Sequence, residues 1–132
     1  MSKKFLKKII AQNPQDLQMI SAICSGAKVK LSEIKFLPKN KIFLFSLERT
    51  NKENEKPTET INSIVKFEFI ESTKSKNIDQ TDQNTILELL AIDVFKKELN
   101  YEIMLLFFNN AFITLKSEII ECSLENIKKT NV

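Results

Sequence analysis

Apolar and polar residues alternate with a period of two through most of the chain, and that spacing predicts strands more often than helices. Val29 and Leu31 alternate with Lys28 and Lys30; the phase then slips, and Ile34 and Phe36 alternate with Glu33 and Lys35. Such a slip is what an extra residue in a strand produces, so a bulge or bend is expected near Ser32. Leu37-Pro38-Lys39-Asn40-Lys41 supplies turn chemistry, and Ile42 to Leu47 is apolar on both faces, as a central strand is. Residues 28–48 therefore read as a hairpin. Val65, Phe67 and Phe69 point one way with Lys66 and Glu68 between them, the plainest half-buried strand in the sequence. Ile86 to Phe95 has helical propensity, but Val, Ile and Phe near its end and the strand pattern of its neighbours favour a further strand. Tyr101 to Phe108 and Ala111 to Lys116 are apolar runs joined by Asn109-Asn110, and Asn tolerates the positive φ of a tight hairpin turn.

Two segments follow the helical period instead. Asn13 can cap, Pro14 suits the first helical position, Asp16 meets the helix dipole and Gly26 offers a left-handed stop. Leu17, Ile20 and Cys24 form one apolar stripe between these signals, predicting an amphipathic helix over 14–25. Ile120, Leu124 and Ile127 recur at helical spacing in 118–129, and Lys128 and Lys129 favour a helix C-terminus, so a second helix is expected there. Residues 3–10 read as a first strand and 51–60 as a polar loop containing Pro57. Residues 72–85 carry one apolar side chain, Ile78, and read as the longest irregular stretch. The expected fold class is α+β, a mainly antiparallel β-sheet or half-open barrel of about seven strands with an early amphipathic helix and a C-terminal helix. A pleckstrin-homology-like architecture matches that count by analogy of topology.

Length and composition change this picture little. A chain of 132 residues with 42% hydrophobic and 28% charged positions is expected to form a single domain, 1–132, with one core. The absence of His and the single Gly exclude more. No Ser/His/Asp or Cys/His nucleophile system, no His-containing metal site and no glycine-rich phosphate loop can be written with these residues. Cys24 and Cys122 lack C-x-x-C spacing and read as small buried hydrophobes. The N-terminal apolar stretch is interrupted by Lys7 and Lys8, and the longest uncharged run, Ile103 to Leu115, is too short for a bilayer span, so a cytoplasmic chain without membrane partners is expected.

FLPKNKIFLFSLERTNKE (Phe36 to Glu53), SIVKFEFIES, Ile78-Asp79 and LLAI (Leu89 to Ile92) resemble the uncharacterised, mainly alphaproteobacterial family called domain of unknown function 2948. The early strand followed by Pro14-Gln15-Asp16-Leu17 and a helix is similar as well. The resemblance covers most of the chain and implies a bacterial cytoplasmic domain without supplying an activity. Thr50, Asn51 and Lys52 stand where the family has an aromatic segment, and Asn109-Asn110 where it has a glycine-rich loop.

Charge and a lone arginine supply the candidate chemistry. Residues 1–56 hold 12 basic and 5 acidic side chains while 57–132 hold 8 and 12, so the basic excess lies in the N-terminal half. Lys, Asn, Ile and Phe are all encoded by adenine- and thymine-rich codons, which accounts for much of the lysine. Arg49 is the one arginine in that background, and its planar fork suits either a structural ion pair or bidentate anion binding. Asp79, Asp82 and Asn84 do not keep EF-hand spacing, and no metal site is expected. The leading expectation is a non-enzymatic protein-interaction or regulatory module with a protein partner or a homodimer, and no cofactor. The alternative is an anion or RNA binder, a nucleic acid partner meeting Lys30, Lys39, Lys41 and Arg49. A small enzyme using carboxylates or lysine ranks last.

Overall fold

The structure is a computed structural model that describes residues 8–50 and 60–127. One helix and ten strands are present among them: β1 Lys8–Ala11, α1 Pro14–Cys24, β2 Lys28–Lys30, β3 Ile34–Leu37, β4 Ile42–Thr50, β5 Thr60–Phe67, β6 Ile70–Lys76, β7 Ile86–Lys97, β8 Asn100–Phe107, β9 Ala111–Ser117 and β10 Cys122–Asn126. Every strand pairing is antiparallel, in the order β1-β10-β5-β4-β2-β7-β8-β9-β6, with β3 also on β4. Among the described residues the order has two ends, so their sheet is not closed into a barrel.

Local signals set α1. The Asn13 side chain accepts the Asp16 N–H at 2.8 Å, Pro14 opens the helix, and Gly26 follows it at φ +87°. Leu17, Ile20 and Cys24 are buried, as their spacing requires. The helix packs on β7 and β1, and the Ser21 hydroxyl accepts the Ile92 N–H at 2.8 Å.

The expected slip near Ser32 is a 3₁₀ turn, Leu31–Glu33. Lys28 stands opposite Glu48 and Ile34 opposite Phe45, so six steps along one strand face three on β4. The extruded turn is held by bonds from the Leu31 and Ser32 N–H groups to the Thr85 and Gln83 carbonyls, at 2.9 and 3.0 Å. Beyond it, β2 crosses from β4 to β7 and joins the two parts of the sheet. Alternate residues of both parts share one core: Phe43, Phe45 and Leu47 of β4, Val65 and Phe67 of β5, Ile103, Leu105 and Phe107 of β8, and Ile113 and Leu115 of β9.

Several expectations are corrected. Ten strands replace about seven, partly because the Lys28–Leu37 strand is broken by its 3₁₀ turn and partly because two segments expected to be irregular or helical form β6 and β10. The C-terminal helix is absent among the described residues; 122–126 is a strand between β1 and β5, with Cys122 and Leu124 facing the core. Burial between two strands overrides the helical spacing, and with the closing helix goes the basis of the pleckstrin-homology-like analogy. Residues 70–76 of the supposed irregular stretch form β6, leaving 77–85 as loop. In the β8–β9 hairpin Phe107 pairs with Ala111, so Phe108 joins Asn109 and Asn110 in the turn, the two Asn at φ 66° and 58°. The expected polar loop lies, but for Thr60, outside the described residues, as do Lys128, Lys129 and most of the first strand.

Candidate functional site

Arg49 lies on the core side of the sheet. The alternation that buries Phe43, Phe45 and Leu47 carries on to position 49, whose side chain is only 3% exposed. The same phase on neighbouring strands brings up Ser63 of β5 and Asn126 of β10, which pair directly. Arg49 Nε donates to Ser63 Oγ at 3.2 Å and Nη2 to Asn126 Oδ1 at 3.1 Å, while Ser63 Oγ donates to Asn126 Oδ1 at 2.8 Å. A buried guanidinium needs such acceptors, because the desolvated charge is costly without them. The arrangement ties three adjacent strands together at one end of the sheet.

The lysines are elsewhere and apart. Lys39 and Lys41 occupy the β3–β4 turn, and eight residues of strand, about 26 Å, separate Lys41 from Arg49. Lys30 lines a groove of about 430 Å³ where β2 and β4 diverge, together with Lys28, Glu33, Glu48, Ile86 and Ile127. Two glutamates against two lysines leave this groove without a net positive field. A second groove of about 440 Å³ gathers Lys74, Lys97 and Lys116 with Glu98 and Glu102. Strand pairing assembles it from residues far apart in the chain, with Lys74 opposite Thr114 and Ser72 opposite Lys116. Charge counted by halves of the sequence could not show it.

The corner between β5 and β6 holds an aromatic residue in the left-handed region. Phe69, expected to continue the β5 alternation inward, instead sits at φ 63° and is 47% exposed. Its position is fixed by its neighbours: the Glu68 N–H donates to the Glu121 carbonyl at 2.9 Å and the Ile70 N–H to the Lys41 carbonyl at 2.8 Å. The fully buried Ser117 hydroxyl reaches the Phe69 carbonyl at 2.9 Å and also lies against the Ile119 carbonyl. Ile119 is itself 48% exposed. One serine thus ties together two backbone positions whose apolar side chains are held half out of the protein.

The family model described as "Protein of unknown function (DUF2948)" matches residues 7–131. The chain belongs to that family. No curated protein and no solved structure matches it.

In this DUF2948 chain both cysteines are buried and reduced, as expected of small core residues. Burial, then the neighbouring Cys24 and Glu121, push the Cys122 thiol well above 9.0. Above that pH the unfolded chain loses a proton that the native chain keeps, so stability falls as pH rises past about 9, by about 1.4 kcal/mol per unit for this group. Urea unfolding at pH 8 and pH 10 checks this: Cys122→Ala is expected to lose less stability between the two than the parent chain. Equal losses would count against it.

The acidic loop uses its carboxylates on itself. Asp79 accepts from the Thr81 hydroxyl at 2.6 Å and N–H at 2.9 Å, which draws its carboxyl below the ordinary range, and Asp82 accepts from the Asn84 N–H at 3.1 Å. Among the described residues no group of three or more Cys, Asp or Glu side chains is placed to hold a metal. No helix there is long and apolar enough to cross a membrane.

Proposed function

We propose that this DUF2948 chain is a protein-interaction module, binding a protein partner through apolar side chains held at its surface. The observation that carries the reading is Phe69. A phenylalanine in the left-handed region costs about 1–2 kcal/mol against an ordinary conformation, and Gly or Asn fits there with less strain. Stability alone does not favour a half-exposed ring at that position, whereas contact with a partner does; strain of this kind gathers at functional sites.

Phe69→Asn separates the two explanations. The variant is expected to melt at or slightly above the parent temperature, gaining up to about 1 kcal/mol, because the ring leaves and the backbone relaxes. Quantitative mass spectrometry of proteins retained by each tagged chain is expected to show a partner lost with the variant. An unchanged set of retained proteins, or a variant that unfolds, would sink the reading.

An anion or RNA site built from Lys30, Lys39, Lys41 and Arg49 has less support, since Arg49 is buried and the lysines are separated. Retention of mixed RNA that weakens steeply with added salt would favour it instead.

A further inference from the structure

We propose that β7 pairs antiparallel with β7 of a second copy of this chain, about a two-fold axis at Phe95. This goes beyond the partner reading and uses a different surface.

β7 is longer than what covers it. β2 pairs with it only at 86–88, and past the bulge at Leu90 the Ile92 N–H turns to Ser21 of α1 instead of to a strand. Lys97 and Asn100 close the two-residue Glu98–Leu99 turn, so Lys97, Phe95 and Asp93 direct their backbone groups to β8. Val94 and Lys96 then direct theirs the other way, as Ile92 does. Among the described residues no hydrogen bond meets them on that side. A groove of about 270 Å³ runs beside this edge, lined by Pro14, Leu17 and Gln18 of α1 and residues 92–95 of β7.

The sequence of the edge is complementary to itself. Pairing Val94 with Lys96 of the second copy, and Lys96 with its Val94, satisfies all the outward backbone groups of these residues in both chains. The same register sets Asp93 opposite Lys97 of the second copy, Lys97 opposite its Asp93, and Phe95 opposite its Phe95, all on one face. Phe95 is 52% exposed and Asp93 and Lys97 are exposed. These opposed residues are non-hydrogen-bonded pairs, in which side chains approach most closely, so two ion pairs flank one aromatic contact. An isologous contact needs this kind of self-complementarity. A shift of two residues would set Phe95 opposite the second copy's Lys97 or Asp93 and lose both ion pairs.

Sedimentation equilibrium of the full chain tests the proposal. The parent chain is expected to dimerise reversibly, in the weak class that a short interface implies. Asp93→Lys and Lys97→Asp each turn both ion pairs into like-charge pairs and are expected to weaken the dimer by about tenfold or more. The double variant Asp93→Lys/Lys97→Asp restores opposite charges and is expected to recover it. Circular dichroism melts confirm that each variant is folded. A parent chain that stays monomeric to its solubility limit overturns the proposal and leaves the Phe69 reading untouched. A dimer indifferent to the single reversals overturns it as well, by placing the contact elsewhere.

Discussion

Leu124→Asp is expected to abolish cooperative folding. Leu124 is buried in β10, with Ile9 of β1 opposite on one side and Val65 of β5 on the other. Removing its side chain from the core forfeits about 2–3 kcal/mol of apolar burial. The carboxylate adds a desolvation or neutralisation cost of several kcal/mol, because the strand neighbours that face it, Ile9 and Val65, are apolar. Together these reach the ~5 kcal/mol that marks the lower end of domain stability. Glu125→Lys provides the comparison: the side chain is exposed on the opposite face, and such substitutions usually stay within about 0.5 kcal/mol. Thermal melts and amide NMR spectra of the two variants would report the difference. A cooperative melt for Leu124→Asp within a few degrees of the parent would mean that 122–126 is not a buried strand.

That strand also shows where sequence pattern stops being informative. Ile120, Leu124 and Ile127 satisfy a helical period, and Cys122 with Leu124 equally satisfies the period of two. Only the two strands that receive β10 decide between them. β6 failed to register for the opposite reason. Pairing with β9 sets its Thr73 and Ser75 opposite Leu115 and Ile113, yet Thr73 is only half-buried and Ser75 is exposed, as are Lys74 and Lys76. An edge strand held by backbone bonds needs no apolar row, so none appeared. α1, by contrast, was readable because Asn13, Pro14 and Gly26 act within a few residues of the helix they bound.

The same division runs through the candidate site. The inward phase of Arg49 follows from Phe43, Phe45 and Leu47, and its singularity among the lysines marked it out. Its acceptors did not stand out, being an ordinary serine 14 residues away and an ordinary asparagine 77 residues away. Strand order brings them together. The lysines that share Arg49's charge are separated by the same order, and nothing in the β5 alternation marks Phe69, at φ 63°, as a corner.

Arg49→Lys is expected to cost about 2–3 kcal/mol, lowering the melting temperature by roughly 10 °C. The substitution keeps the charge and removes the fork. A lysine ammonium is a compact, strongly hydrated point charge, and it cannot present two directed N–H groups in one plane to Ser63 Oγ and Asn126 Oδ1. It would be a buried cation with poorer partners, the case in which the desolvation cost is least offset. Arg49→Met separates charge from geometry. Methionine keeps an aliphatic stem in the same space, removes the buried charge, and leaves the 2.8 Å Ser63–Asn126 bond in place. It is therefore expected to cost less than lysine, although lysine is the more conservative change by charge. Should the order be reversed, the positive charge itself rather than the forked geometry would be what this end of the sheet requires. Should Arg49→Lys melt with the parent chain yet lose a partner that the parent retains, Arg49 would belong to binding instead of to the joining of β4, β5 and β10.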